Sequence, residues 1–237
     1  MSENKKQKGV PVGVLAVYLL LLFAAWTAYH LLVAPQTEKI PNELLSSLLN
    51  DGVLKNLIWT LPAVLLIRKY GGLLAVKPGE LFTWNRECVK YLALFPIFAA
   101  YILLGLFVHK QSLQLSLTAE EIVTVIFVGI TEELVFRGWL LNAMAGKLEP
   151  HGETPENEDE IPWAEYGVIA LNAVIFLLIH FPRWISEGVF VTNMAQLGFV
   201  SIMMLSAVFS VVFLKTKNIV LPILLHMFWD LLIFLFK

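Results

Sequence analysis

Residues 10–34, VPVGVLAVYLLLLFAAWTAYHLLVA, contain no Asp, Glu, Lys or Arg. About 20 apolar residues in a helix suffice to cross the hydrocarbon core of a bilayer. Further apolar segments follow at 53–67, 89–108, 119–143, 163–181, 193–214 and 218–236. The expected fold is therefore all-α, a polytopic transmembrane helical bundle of about seven spans, six to eight. Composition agrees with this: 58% of residues are hydrophobic and 15% charged, whereas soluble domains carry roughly 25% charged residues. A chain of 237 residues with no internal repeat reads as a single membrane domain spanning 1–237.

The first apolar run follows a basic stretch, as in a signal peptide, but it is too long for one and no small-residue cleavage motif follows. It is expected to stay as the first span. With the N-terminus cytoplasmic, eleven cations fall inside: Lys5, Lys6, Lys8, Arg68, Lys69, Lys77, Arg86, Lys90, Lys147, Lys215 and Lys217. Five fall outside: Lys39, Lys55, Lys110, Arg183 and Lys237. Positive charge favours the cytoplasmic side, so this orientation in the cell membrane is the expected one. The acidic stretch EPHGETPENEDEIPW, 149–163, reads as a mobile solvated linker between spans. A net charge of −2 and the lack of any basic cluster beyond Lys5, Lys6 and Lys8 give no support for a nucleic-acid partner, and none is expected. The lone Cys88 can form neither an internal disulfide nor a cysteine metal site.

The fourth segment contains FVGITEELVFRGWLLNAM, with Glu132, Glu133 and Arg137 at its centre. A charge at mid-bilayer costs about 2.5–3.5 kcal/mol on insertion scales, so these residues must face protein or trapped water. Glu133 and Arg137 stand at i, i+4, where a pair can form. Glu132 is rotated about 100° from that pair and is expected to be free. Downstream, FLLIH places His180 four residues after Phe176, and LLHMFWDLL places His226 four residues before Asp230. Of the five histidines, His180 and His226 are the best placed to work with Glu132. His180 lies near the end of its expected span, so a tilt or a shifted boundary is needed to bring it level.

A buried carboxylate beside imidazoles suits a general base that activates water. His226, oriented by Asp230, suits the donor to a developing oxyanion. The expected chemistry is hydrolysis of a peptide bond.

EELVFRG, FLLIH and HMFWD resemble, in order, the motifs EExxxR, FxxxH and HxxxN/D of the CPBP family, the CAAX proteases and bacteriocin-processing enzymes also called the Abi family. The resemblance covers about residues 119–234. It implies an intramembrane endopeptidase in which Glu132 activates water with help from His180. His226 and Asp230 would form the oxyanion side, and Glu133 with Arg137 the scaffold. The last motif position is Asp230, where the prenyl-protein endopeptidases carry Asn. The implied partners are a peptide or protein substrate in or at the membrane, and the lipid bilayer.

No cofactor is expected. Two histidines and a glutamate could hold zinc with a position open for water, but no HExxH occurs, so a zinc metalloprotease is the less favoured mechanism. A proton-coupled transporter is the rival from another class, disfavoured by the missing repeat. A non-catalytic immunity or scaffold protein that keeps the motifs stays open.

Overall fold

The computed structural model describes residues 9–109, 116–148 and 163–235, and the acidic stretch 149–162 lies outside them. Among the described residues all regular structure is helical. The helices are α1 (Val12–Thr37), α2 (43–70), α3 (Arg86–Tyr91), α4 (Leu94–His109), α5 (119–145), α6 (Trp163–Leu178), α7 (Phe181–Ser186), α8 (Phe190–Ala195), α9 (Gly198–Thr216) and α10 (Val220–Leu235).

Among the described residues four helical stretches are long and apolar enough to cross a membrane: Val12–Thr37, Arg86–Gly105, Trp163–Ser186 and Gly198–Thr216; Val220–Leu235 is apolar but shorter. α2 and α5 are helical over the length of a span but are interrupted by polar residues, among them Asp51 and Lys55 in α2 and Glu132, Glu133 and Arg137 in α5. Several boundaries differ from those read in the sequence. The short segment 53–67 belongs to the longer helix α2. The segment expected at 193–214 becomes a long helix only from Gly198, because Leu197 adopts the left-handed conformation (φ 58°) and ends the preceding turn. The segment expected at 163–181 continues to Ser186, with Pro182 in the first turn of α7, where a missing N–H is tolerated.

Local chemistry accounts for the start of α5. Thr118 and Glu121 form a reciprocal capping box: the Glu121 N–H donates to Thr118 Oγ1 (3.2 Å) and the Thr118 N–H to Glu121 Oε2 (2.9 Å). Two orphan donors at the helix start are thereby satisfied. Farther along, Asn142 holds the segment after α2, accepting from the Val76 N–H (2.7 Å) and donating to the Val76 carbonyl (2.9 Å).

α9 packs along α6, and α10 along the first half of α5. The latter contact depends on Gly129, where a Cβ would sit 2.7 Å from Met227 Cγ and 3.5 Å from the Ile223 carbonyl. Small residues let membrane helices approach closely. Gly129→Leu is expected to cost about 1–3 kcal/mol by overpacking, read as a lower unfolding midpoint in detergent. It also pushes away the turn that carries His226, so activity falls with stability; an unchanged midpoint would mean the helices are not in close contact here.

Candidate active site

α5 brings Glu132, Glu133 and Arg137 to the centre of the bundle, Glu132 at 6% exposure and Glu133 and Arg137 at 0%. Arg137 Nη1 donates to Glu133 Oε1 at 3.0 Å, the pair expected from the i, i+4 spacing. The guanidinium also reaches α9, with Nη2 donating to Ser206 Oγ (2.8 Å) and to the Ser206 carbonyl (2.9 Å). Its Cζ stands over the rings of Phe176 (4.8 Å) and Phe209 (5.5 Å), an arrangement suited to a weakly hydrated guanidinium. Ser210 and Asn172 extend this polar contact between α9 and α6: Asn172 Nδ2 donates to Ser210 Oγ (3.2 Å), which donates to the Ser206 carbonyl (2.7 Å).

Glu132 is not free. Lys55 on α2 donates to Glu132 Oε1 at 2.8 Å, in a pair whose side chains are 7% and 8% exposed. The sequence reading put Lys55 among the outer-side cations; it is buried in the bundle. Two charges taken out of water require close pairing, and Glu132 finds its partner on another helix because Arg137 is committed to Glu133. Glu132 Oε2 lies 4.0 Å from His226 Nε2.

The orientation of His226 also differs from expectation. Its Nδ1 lies 2.7 Å from Glu133 Oε1, whereas Asp230 Oδ2 stands 3.6 Å from Nε2. The close hydrogen bond comes from Glu133, so the residue expected to orient His226 is a looser neighbour on the other ring nitrogen. A carboxylate already accepting from Arg137 accepts here too, so Nδ1 carries the proton. Nε2 faces the Glu132 and Asp230 carboxylates.

His180 Nδ1 lies 2.7 Å from the Phe176 carbonyl, which can only accept. In the neutral ring the Nδ1 proton is therefore fixed and Nε2 is left as an acceptor. The helical stretch that carries His180 continues to Ser186, so His180 does not lie at its end.

Glu132, His180, His226, Asp230 and Lys55 line one cavity of about 410 Å³. Glu133 and Arg137 lie behind its wall, fully buried. The cavity runs along α5 past Glu120, Thr124, Val128 and Glu132, one face at spacings of four, and Asp51 and Glu38 also line it. The helices around it carry π-helical turns: Tyr29–Val33 in α1, Leu48–Leu54 and Asn56–Thr60 on either side of Lys55, and Leu134–Leu141 around Arg137. Such turns recur at functional sites. Among the described residues no group of three or more His, Cys, Asp or Glu is arranged to hold a metal ion.

Lys55 is the residue that the sequence reading missed. The signal was present: a lysine inside an apolar segment needs an intramembrane partner, and Glu132 was the carboxylate without one. Ser206, Ser210 and Asn172 carry no such signal, since small polar residues are ordinary in membrane helices.

The family model described as "Type II CAAX prenyl endopeptidase Rce1-like" matches residues 114–232, just over half of the chain. That stretch includes Glu132, Glu133, Arg137, His180, His226 and Asp230; Lys55 falls outside it. No curated protein and no solved structure matches the chain.

Proposed function

This chain belongs to the type II CAAX prenyl endopeptidase Rce1-like family, intramembrane proteases of CAAX type that act on membrane-associated proteins or peptides, and we propose that it hydrolyses its substrate with a water activated by Glu132. The observation that carries this proposal is the division of labour within one carboxylate. Oε1 is tied to Lys55, while Oε2 faces His226 Nε2 across a 4.0 Å gap in a residue that lines the cavity.

In the proposed reaction Glu132 Oε2 takes a proton as the water oxygen attacks the scissile carbonyl carbon. The Nε2 acceptor of His180 receives a hydrogen bond from the same water and orients it. The carbonyl oxygen gains charge as the tetrahedral intermediate forms, and His226, with a proton on each nitrogen, donates to it from Nε2. Asp230 lies beside that nitrogen and supplies counter-charge. Glu132 then returns its proton to the leaving amine as the C–N bond breaks. Glu133 and Arg137 hold His226 and join α5 to α9.

The metal-free route is supported by the Lys55 ammonium at 2.8 Å from Glu132, which repels a cation from the carboxylate that a zinc site would recruit. Family membership lends no support to a proton-coupled transporter or to a non-catalytic scaffold protein. The helices long enough to span, together with the family, mark an integral membrane protein. We further propose about seven spans in the cell membrane, with the N-terminus cytoplasmic, by the distribution of Lys and Arg.

The test is cleavage of a prenylated, membrane-associated peptide by the purified protein in detergent. One bond is expected to be cut, at a rate unchanged by exhaustive chelation. Activity lost on chelation and restored by stoichiometric zinc would overturn the metal-free mechanism.

A further inference from the structure

We propose that Lys55 is a positioning residue for Glu132: by holding Oε1, it fixes the carboxylate in the rotamer that presents Oε2 to the water. The proposal rests on Glu132 acting as the base and goes beyond it, because Lys55 lies outside the part of the chain matched to the family.

Three observations carry it. The first is the contact itself, a charge-assisted hydrogen bond of 2.8 Å between side chains 77 residues apart, short enough to hold a single carboxylate orientation. The second is how the ammonium is enclosed. Lys55 Nζ stands 5.0 Å from the Trp59 ring and 5.7 Å from the Trp26 ring. These two rings pack edge to face at 4.9 Å, and Trp59 is 1% exposed. The charge therefore has aromatic faces on one side and Glu132 on the other, and lysine's flexible stem is confined to one arrangement.

The third is that α2 does not depend on Lys55 for its place against α5. Asp51 Oδ2 accepts from Thr124 Oγ1 (2.9 Å) above it. Asn56 Oδ1 accepts from Thr131 Oγ1 (3.2 Å) beside it. With the register of the two helices fixed by these links, Lys55 is left to act on the carboxylate. A displacement of about 1 Å at a reacting group can cost about 10²-fold in rate, which sets the scale of the effect expected when the tie is cut.

The experiment uses the full-length protein in detergent with the same peptide substrate, and measures kcat, KM and the unfolding midpoint for six forms: wild type, Lys55→Met, Lys55→Arg, Lys55→Ala, Glu132→Gln and the double variant Lys55→Met with Glu132→Gln. Lys55→Met is expected to lower kcat by about 10²-fold with KM little changed. Lys55→Arg is expected to restore most of the rate, because it returns a cationic donor to Glu132. The Lys55→Ala variant should be accelerated by methylammonium or ethylammonium in a concentration-dependent, saturable way, as the small cation takes the vacated position. Adding Glu132→Gln to Lys55→Met should produce little further loss beyond that of Glu132→Gln alone, as two residues acting through one group do.

If Lys55→Met turns over like wild type while Glu132→Gln is inert, the positioning role is overturned and the catalytic assignment of Glu132 stands. If Glu132→Gln is itself active, the catalytic assignment fails and the positioning role goes with it. A loss in Lys55→Met that comes with a lowered midpoint, and that neither arginine nor the alkylammonium ions repair, overturns the proposal in favour of a purely structural lysine.

Discussion

Glu132→Gln is expected to lower kcat by about 10³-fold, within the range of about 10²–10⁴ that a positioned general base contributes, while the unfolding midpoint stays near wild type. Glutamine keeps the shape of the side chain, and its carbonyl oxygen still accepts from Lys55, so the link to α2 survives. What it lacks is an oxygen able to take a proton from water. Substrate binding is expected to persist, so the loss should fall on kcat with KM little moved. Equal turnover by Glu132→Gln and wild type would remove Glu132 from the chemistry.

The largest expected effect on stability is at the other member of the acidic pair. Glu133 Oε1 accepts from both Arg137 Nη1 and His226 Nδ1, at 3.0 and 2.7 Å, and Glu133 and Arg137 are fully buried. Removing one partner of a buried ion pair leaves the other charge without compensation, which costs about 3–5 kcal/mol. Glu133→Gln is therefore expected to lower the unfolding midpoint in detergent strongly, unlike Glu132→Gln. Replacing Glu133 and Arg137 together by apolar residues of similar volume should recover part of that stability, because no buried charge is then stranded. Activity should not return with it, since His226 has lost the carboxylate that orients it. A Glu133→Gln variant as stable as wild type would show that Arg137 is held by Ser206 and its aromatic neighbours alone.

The contrast between these two adjacent glutamates separates what the sequence could convey from what it could not. Helix character and the i, i+4 relation of Glu133 to Arg137 are local, written in the order of residues, and both could be read without coordinates. The grouping of Glu132, His180, His226 and Asp230 at one cavity was anticipated from charge in apolar segments: intramembrane polar residues must meet protein or water, and few such residues exist. The partner of each group was a different matter. His226 lies four residues from Asp230, and proximity in sequence suggested that Asp230 orients it. Glu133, 93 residues away, makes the shorter contact, and nothing local in the sequence around His226 points to it. Lys55 and Glu132 are likewise brought together by the packing of α2 on α5, and the extent of α2 was obscured by the polar residues that interrupt its apolar run.

Span boundaries failed for a related reason. The apolar segments expected at 10–34 and 163–181 stop just before Pro35 and Pro182, yet α1 continues to Thr37 and the later stretch to Ser186. In both places proline occupies the first turn of a new helical segment, where it needs no N–H partner. The π-helical turns in α1, α2 and α5 insert extra residues per turn and shift the faces of these helices. Apolar periodicity does not reveal such a shift in α1, which is apolar nearly all round.

The most direct measurement of the proposed chemistry is a single turnover of a membrane-associated peptide by the chelated protein in oxygen-18 water, followed by mass analysis of both the product and the peptide of the protein that contains Glu132. Attack by a water activated at Glu132 places the heavy oxygen in the new carboxylate of the product and none in Glu132. Heavy oxygen in Glu132 with an unlabelled product carboxylate would mean that Glu132 attacks the scissile carbonyl itself and forms an acyl-enzyme, contradicting the activated-water mechanism.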